Sequence, residues 1–588
     1  MLQVLLSLFL LAAPSIPHPE YPRPQLVRER WMSLNGQWNL GEETIMVPFP
    51  AGSPLSGASL PGQFDTLRYS RRFKVPASWK KDRVILNFGA VDWGAEVFVN
   101  GHRAGGHTGG YSPWSLDITP FLNRRGTESL EVRVWDPTDS NDCIPHGKQA
   151  YNTPGGIWYT PVCGIWQSVW LEPVKDARVE GYHADTDLRS LTVYVNTTGV
   201  LADDTIEVSL LEGRCGYDTE KPSGKVLETV RAADGEAVFT IPSWHLWTPE
   251  DPYLYGLLFR IIRNGKVIDT ARGYTAVRTI SVITAPDGFK RIGLNGKPLF
   301  NMGTLDQGWW PEGLYTAPSD QALLEDIHFQ KELGFNMIRK HIKVEPARWY
   351  TYCDRLGMLV WQDMPSISAG GGVWNPGGFD IGKDAHYPLS VRENYYKELD
   401  EMIDWVRCFG CVVMWIPFNE GWGQFQTAEV TRHIKAMDPS RLVNPASGGN
   451  YYKGLGDVLD CHNYPAPYMR LWDYDKINVL GEYGGIGCPV EGHLWETEKR
   501  HWGYVQTADT EVLTSRFEEY SAMLEDLVRS GLSAAVYTQT SDVESEINGL
   551  KTYDREVLKV DANRVREAND RVIKSLDFSA WPVKLVSF

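Results

Sequence analysis

A chain of 588 residues is long enough for several domains rather than one. Its 43% hydrophobic and 22% charged content is that of an ordinary globular protein, not a disordered or fibrous one. A formal net charge of −16 argues against nucleic acid or an anionic membrane surface as partner.

The N-terminus, MLQVLLSLFLLAAPS, is a short apolar run ending in small residues. It reads as a secretory signal over residues 1–17, although no Lys or Arg precedes the apolar core. It is too short to span a membrane, and no other apolar run is long enough. The expectation is export, to a periplasm or beyond.

Residues 18–174 show short alternating stretches broken by Gly, Pro and Asn. LRYSRRFKV (67–75), RVILNFG (83–89) and AEVFVNG (95–101) are examples. They predict antiparallel strands, with Asn100-Gly101 as a hairpin turn, and together a β-sandwich or jelly roll. Residues 175–284 carry LTVYVNTTG, IEVSLLEG and YGLLFRIIRNG. A β-rich segment of that size predicts an immunoglobulin-like sandwich.

From residue 285 to 588 strands alternate with helical patterns. Eight candidate strands stand at LFNMGT, MIRKH, LVWQDMP, VVMWIPFNE, LVNPAS, VLDCHNY, NVLGEY and AAVYTQT. That alternation predicts a (β/α)8 TIM barrel, in which ligands meet the C-terminal strand ends. The fourth candidate runs into Asn419-Glu420-Gly421-Trp422 and the seventh into Glu482-Tyr483. Glu420 then ends strand four and Glu482 strand seven. Two carboxylates at strand ends among Trp and Tyr suit glycosidic bond cleavage, in which one protonates the leaving oxygen and the other attacks or stabilises the sugar cation. The alternative, a solvated loop glutamate, is answered by the second glutamate in the same setting.

The other candidates also end barrel strands. His341 ends strand two, where it binds sugar hydroxyls or is a satisfied structural histidine. Asp363 ends strand three, either touching substrate or supporting a residue that does. His462 and Tyr464 end strand six, as substrate contacts or structural residues. Trp422 and Trp310 are candidate ring platforms or core. Arg339 orients a carboxylate. Twenty-three Trp residues in all serve mainly as core. Eight Cys residues lie scattered, and Cys408-Phe409-Gly410-Cys411 has no second pair in zinc spacing. No metal or cofactor is expected; buried thiols and one or two disulfides are.

The chain resembles glycoside hydrolase family 2, which contains β-galactosidases, β-glucuronidases and β-mannosidases. The resemblance rests on NGHRAGGHTGGYSPWSLDIT, GIWYTPVCGIWQSVWLEP, LWTPEDPYLY, GYTAVRTISV, LNGKPLFNMG and the long stretch from Gly334 to Pro365. It implies that Glu420 is the general acid/base, that Glu482 is the nucleophile of a retaining mechanism, and that Asn419 holds the sugar 2-hydroxyl. Two departures stand out. Arg407-Cys408-Phe409-Gly410 replaces an Asn-His-Pro turn. Glu546-Ile547-Asn548-Gly549 lacks the lysine with which β-glucuronidases hold the sugar carboxylate, and Glu546 would repel a uronate.

The expectation is a retaining exo-β-glycosidase, foremost a β-galactosidase, acting on an oligosaccharide or glycoside. Another family specificity (β-mannosidase, β-glucuronidase or an arabinosidase-like activity) is the alternative. A sugar-binding module without catalysis is disfavoured by the presence of both glutamates. The oligomeric state is not legible, and a homo-oligomer is compatible with the sequence. Long Gly- and Trp-rich loops after strands one, three and seven are expected to wall the mouth into a pocket for one terminal sugar.

Overall fold

The computed structural model describes residues 16–578, apart from 63–64, 125, 140–143, 153, 223 and 368–371. Nearly all of the expected leader, and Cys143, lie outside the described residues. No helix among the described residues is long and apolar enough to cross a membrane.

The first β-domain packs a six-stranded antiparallel sheet, in spatial order 43–47, 36–40, 67–73, 128–135, 94–99 and 102–108, on a four-stranded one ordered 32–33, 169–174, 83–88 and 114–117. Alternation builds the core. In Glu128–Trp135 the side chains of Leu130, Val132 and Val134 are buried while Ser129 and Trp135 are exposed, which is the period of the pleat. Leu130, Val132 and Val134 meet Leu86 and Leu171 of the facing sheet in one apolar cluster. The hairpin between 94–99 and 102–108 turns at Asn100-Gly101, both at positive φ, as a tight turn of that twist requires. The second β-domain repeats the plan with sheets of three and four strands around Val193, Val208, Phe239 and Phe259.

The barrel strands are Asn301–Asp306, Met337–Lys340, Leu359–Asp363, Val412–Ile416, Leu442–Val443, Val458–His462, Ile477–Gly484 and Leu532–Thr538. They coincide with the eight stretches read from the sequence. All are parallel, in the spatial order five-four-three-two-one-eight-seven-six. Strands five and six are not laddered together. The seam is bridged instead by Val443 N donating to Asp457 Oδ2 (2.8 Å) and Gly448 N donating to Asp460 O (3.1 Å), so the barrel is nearly closed.

Helices follow strands one to four, seven and eight. Among the described residues none follows strand five or six. The connection 444–457 carries Gly448, Gly449, Gly454 and Gly456, and 463–476 carries Pro465 and Pro467, residues that raise the cost of a helix or break it. Where a helix does form, a stripe explains it. Leu389–Val406 buries Val391, Tyr395, Leu399, Met402, Ile403 and Val406 at helical spacing.

The turn after that helix gives the first departure a structural account. A Cβ on Gly410 would lie 2.4 Å from the Ala276 Cβ of the second β-domain, so only glycine fits there. Arg278 from the same domain donates to Gly410 O (2.8 Å) and Val412 O (2.9 Å), and Arg441 donates to Phe409 O (3.0 Å). The turn is thus a clamp between domains. The expected disulfides are not found: the seven described cysteines are free thiols. Cys411 Sγ lies against Tyr350 O and beside the Cys353 thiol, and Cys163 Sγ lies against Asp136.

Candidate active site

Both glutamates reach one place, by different routes. Glu482 is a buried residue of strand seven. Glu420 stands four residues past the last residue of strand four, not at its end, and adopts the left-handed conformation (φ 48°). A non-glycine residue held there costs on the order of 1–3 kcal/mol and persists only where its surroundings impose it. Here Glu420 N donates to Ser447 O (2.8 Å) and Ser447 N donates to Phe418 O (2.9 Å), which fixes the turn against the segment after strand five. Oxygens of Glu420 and Glu482 and a nitrogen of His462 all lie within 4.8 Å of one another.

Arg339 ties the floor of the site together. It is 0% exposed and lies one residue before the end of strand two, with its guanidinium fully engaged. It donates to both oxygens of Asp363 (3.1 and 2.9 Å), to Asn419 Oδ1 (2.7 Å) and to Glu482 Oε1 (3.1 Å). The fork geometry of arginine makes one residue orient groups from strands three, four and seven. Asn419 Oδ1 is taken, and its Nδ2 is a buried donor with no partner among the described residues. That amide is available for a hydroxyl.

His462 joins the two carboxylates. Its Nδ1 is 2.9 Å from Glu420 Oε1 and 3.6 Å from Glu482 Oε2, and its Nε2 is 2.8 Å from Ser447 Oγ, which donates to Asp460 (2.5 Å). Burial works against a charged imidazole, but Glu482 and Glu420 outweigh it and hold the His462 pKa above its ordinary value. Burial likewise opposes ionisation of Glu482. His462, Arg339 and the Tyr464 hydroxyl reverse that and hold its pKa below the usual 4.5. Glu482 is therefore an anion at neutral pH. The three clustered groups also have the spacing of a metal site, but Arg339 and His462 already supply the positive charge that an ion would bring.

The remaining candidates divide. Tyr464 donates to Glu482 Oε2 (2.5 Å) and stacks on Tyr504 with centroids 3.5 Å apart. Asp363 spends its carboxylate on Arg339, His341 Nδ1 (3.0 Å) and Ile342 N. Burial pushes the His341 pKa well down, so this imidazole is neutral and supports Asp363. Trp422 packs at a tilt against Trp158 of the first β-domain (5.2 Å). Trp310 lies apart from this cluster, buried under Arg555 (4.0 Å). Sequence reasoning missed Lys148, Tyr159, Ser447, Asp460 and Tyr504. Nothing local marks them, since each joins the site only through the fold.

One hydrogen bond here makes a pH prediction. Tyr464→Phe removes a donor that favours the Glu482 carboxylate, so the Glu482 pKa must rise. The acid limb of kcat/KM is expected to move to higher pH, with the alkaline limb in place. A profile whose acid limb stays where the parent has it would show that Tyr464 does not tune Glu482.

Three family models match the chain in order. They are described as glycosyl hydrolases family 2, sugar binding domain (residues 20–171), glycosyl hydrolases family 2 (174–278) and glycosyl hydrolases family 2, TIM barrel domain (290–479). A β-galactosidase of Thermoanaerobacter pseudethanolicus is 25% identical over 436 residues, covering 73% of this chain and 54% of that protein. The cat (Felis catus) β-glucuronidase is 23% identical over 530 residues, covering 78% of this chain and 75% of its own. The chain thus spans about half the length of the first of these relatives. The solved β-D-glucuronidase of Dictyoglomus thermophilum superposes with a TM-score of 0.72 at 19% identity, covering 94% of this chain and 98% of that one. With three consecutive domain matches and a shared architecture, the chain belongs to glycosyl hydrolase family 2.

Proposed function

We propose that the chain is a retaining exo-β-glycosidase that removes a neutral terminal sugar, foremost β-galactose. The observation that carries this reading is the approach of the Glu420 and Glu482 oxygens to within 4.8 Å, with Glu482 ionised and Glu420 hydrogen-bonded to a histidine. Retaining enzymes hold their carboxyl groups about 5–5.5 Å apart, and inverting ones farther, to admit a water.

In this reading Glu482 attacks the anomeric carbon and forms a glycosyl ester while the glycosidic bond breaks. The proton shared by Glu420 and His462 goes to the departing oxygen. A water then attacks the ester, gives its proton to Glu420 and releases Glu482. Asn419 Nδ2 donates to the sugar 2-hydroxyl, and Arg339 keeps Glu482 and Asn419 in register.

Exo action is supported by what covers the strand ends. His146 N and Gly147 N of the first β-domain both donate to Ser366 O after strand three (3.1 Å each), and Thr160 N donates to Glu544 after strand eight (2.7 Å). An endo-acting enzyme needs an open cleft there.

A panel of nitrophenyl β-glycosides (galactoside, glucoside, mannoside, glucuronide) tests the reaction and the sugar. The galactoside is expected to turn over fastest. A defined oligosaccharide is expected to release monosaccharide steadily from its non-reducing end. Early fragments of intermediate length would sink the exo reading, and no hydrolysis of any member would sink the reaction.

A further inference from the structure

Lys148 belongs to the first β-domain, in the segment between its strands 128–135 and 164–165. It is 4% exposed. Its Nζ sits over two rings, 5.6 Å from the Tyr159 centroid and 5.9 Å from that of Trp422, two residues past Glu420. Among the described residues this amine makes no hydrogen bond and no ion pair. A buried lysine normally has one of these, because a desolvated ammonium without a partner is costly. Burial accordingly pushes its pKa down, against the pull of Glu546, Glu482 and Glu420.

Glu546 is the carboxylate whose charge acts most strongly on this amine. It follows strand eight, is buried, and accepts from the Tyr159 hydroxyl and from Asn548 Nδ2 (3.0 Å). Tyr159 thus touches both: Lys148 lies over its ring and Glu546 takes its hydroxyl. Yet Lys148 and Glu546 do not pair directly. An ammonium and a carboxylate that feel each other's charge without meeting leave a donor and an acceptor for a third group. A sugar hydroxyl is both: it accepts from the amine and donates to the carboxylate. A uronate could accept from Lys148, but its charge would face Glu546. The pair is charge-balanced as it stands.

Resting on the glycosidase reading above, we propose that Lys148 and Glu546 clamp one hydroxyl of an uncharged terminal sugar. The first β-domain then supplies a substrate-binding residue to the barrel, and the clamp selects neutral sugars over uronates.

The test uses Lys148→Met and Glu546→Gln in the full chain. kcat/KM is measured on the best nitrophenyl glycoside and on its 3-, 4- and 6-deoxy analogues. Lys148→Met is expected to lower kcat/KM on the parent sugar by about 10²-fold or more, as for a lost buried hydroxyl contact. On the one analogue that lacks the clamped hydroxyl, wild type and variant should be nearly equal. Glu546→Gln should single out the same analogue. A merely structural lysine would lower all four sugars alike, and that result overturns the clamp. So does an unchanged kcat/KM. Calorimetric binding of galactose, glucose, mannose and glucuronate to wild type and Lys148→Met separates the clamp from the reaction. If no glycoside is hydrolysed, the glycosidase reading fails, while neutral-sugar binding weakened at least tenfold in the variant still upholds the clamp. Equal binding in both proteins, or none in either, overturns it.

Discussion

Glu482→Ala is expected to lower kcat by on the order of 10⁵–10⁶-fold, the scale of losing a nucleophile from a site whose groups act as a unit. The loss should be chemical rather than structural. Glu482 leaves Arg339 with Asp363 and Asn419 as partners, so the guanidinium stays paired, and Tyr464 keeps its contact with Thr538 (2.8 Å). The unfolding midpoint should therefore change little while turnover disappears. Nitrophenolate release under saturating substrate checks the first point, and a denaturation curve the second. A variant retaining a tenth of parental turnover would place the nucleophile elsewhere.

Arg339→Met should do both kinds of damage. The side chain is fully buried and has two carboxylates as partners, Asp363 (2.9 Å) and Glu482 (3.1 Å). Removing one member of such a network strands uncompensated charge, which costs about 3–5 kcal/mol. Burial already pushes the Asp363 pKa up to about 6 against the pull of Arg339, so without the arginine Asp363 takes up a proton at neutral pH. Asn419 also loses the bond that aims its amide. Activity should fall by several orders of magnitude and the barrel should unfold at clearly lower denaturant. Arg339→Lys should recover part of the stability but little of the activity, because an ammonium cannot hold three strands with one planar fork. An unfolding midpoint equal to the parent would contradict the network.

Strand texture was legible because barrel strands are short apolar runs closed by polar residues, and all eight appear where those runs stand. The two glutamates were legible for the same reason: a carboxylate within or shortly after the end of a doubly buried strand is delivered to the sheet edge. The turn at Glu420 was not, because its left-handed φ is imposed by Ser447, twenty-seven residues later in the sequence. The helices missing after strands five and six could have been read from the Gly and Pro in those connections. Disulfides were expected from cysteine count alone, and count carries no distance. Arg339 was legible as an orienting group from its place near a strand end. Lys148 was not: it is a lysine in a β-domain, and only the docking of that domain on the barrel turns it toward the carboxylates. Glu546 was noticed for its sign, but its pairing with Tyr159 across domains was invisible.

The assignment of roles to the two carboxylates is the centre of this account, and azide rescue tests it most directly. Azide added to Glu482→Ala should restore turnover and yield a glycosyl azide of inverted configuration, because azide enters the vacated nucleophile's side and one displacement occurs. Added to Glu420→Ala it should yield the retained azide, formed by attack on the ester at Glu482. Proton NMR of the two products reads the anomeric coupling. Inverted azide from the first variant and retained azide from the second is the expected result; retained azide from Glu482→Ala would contradict it.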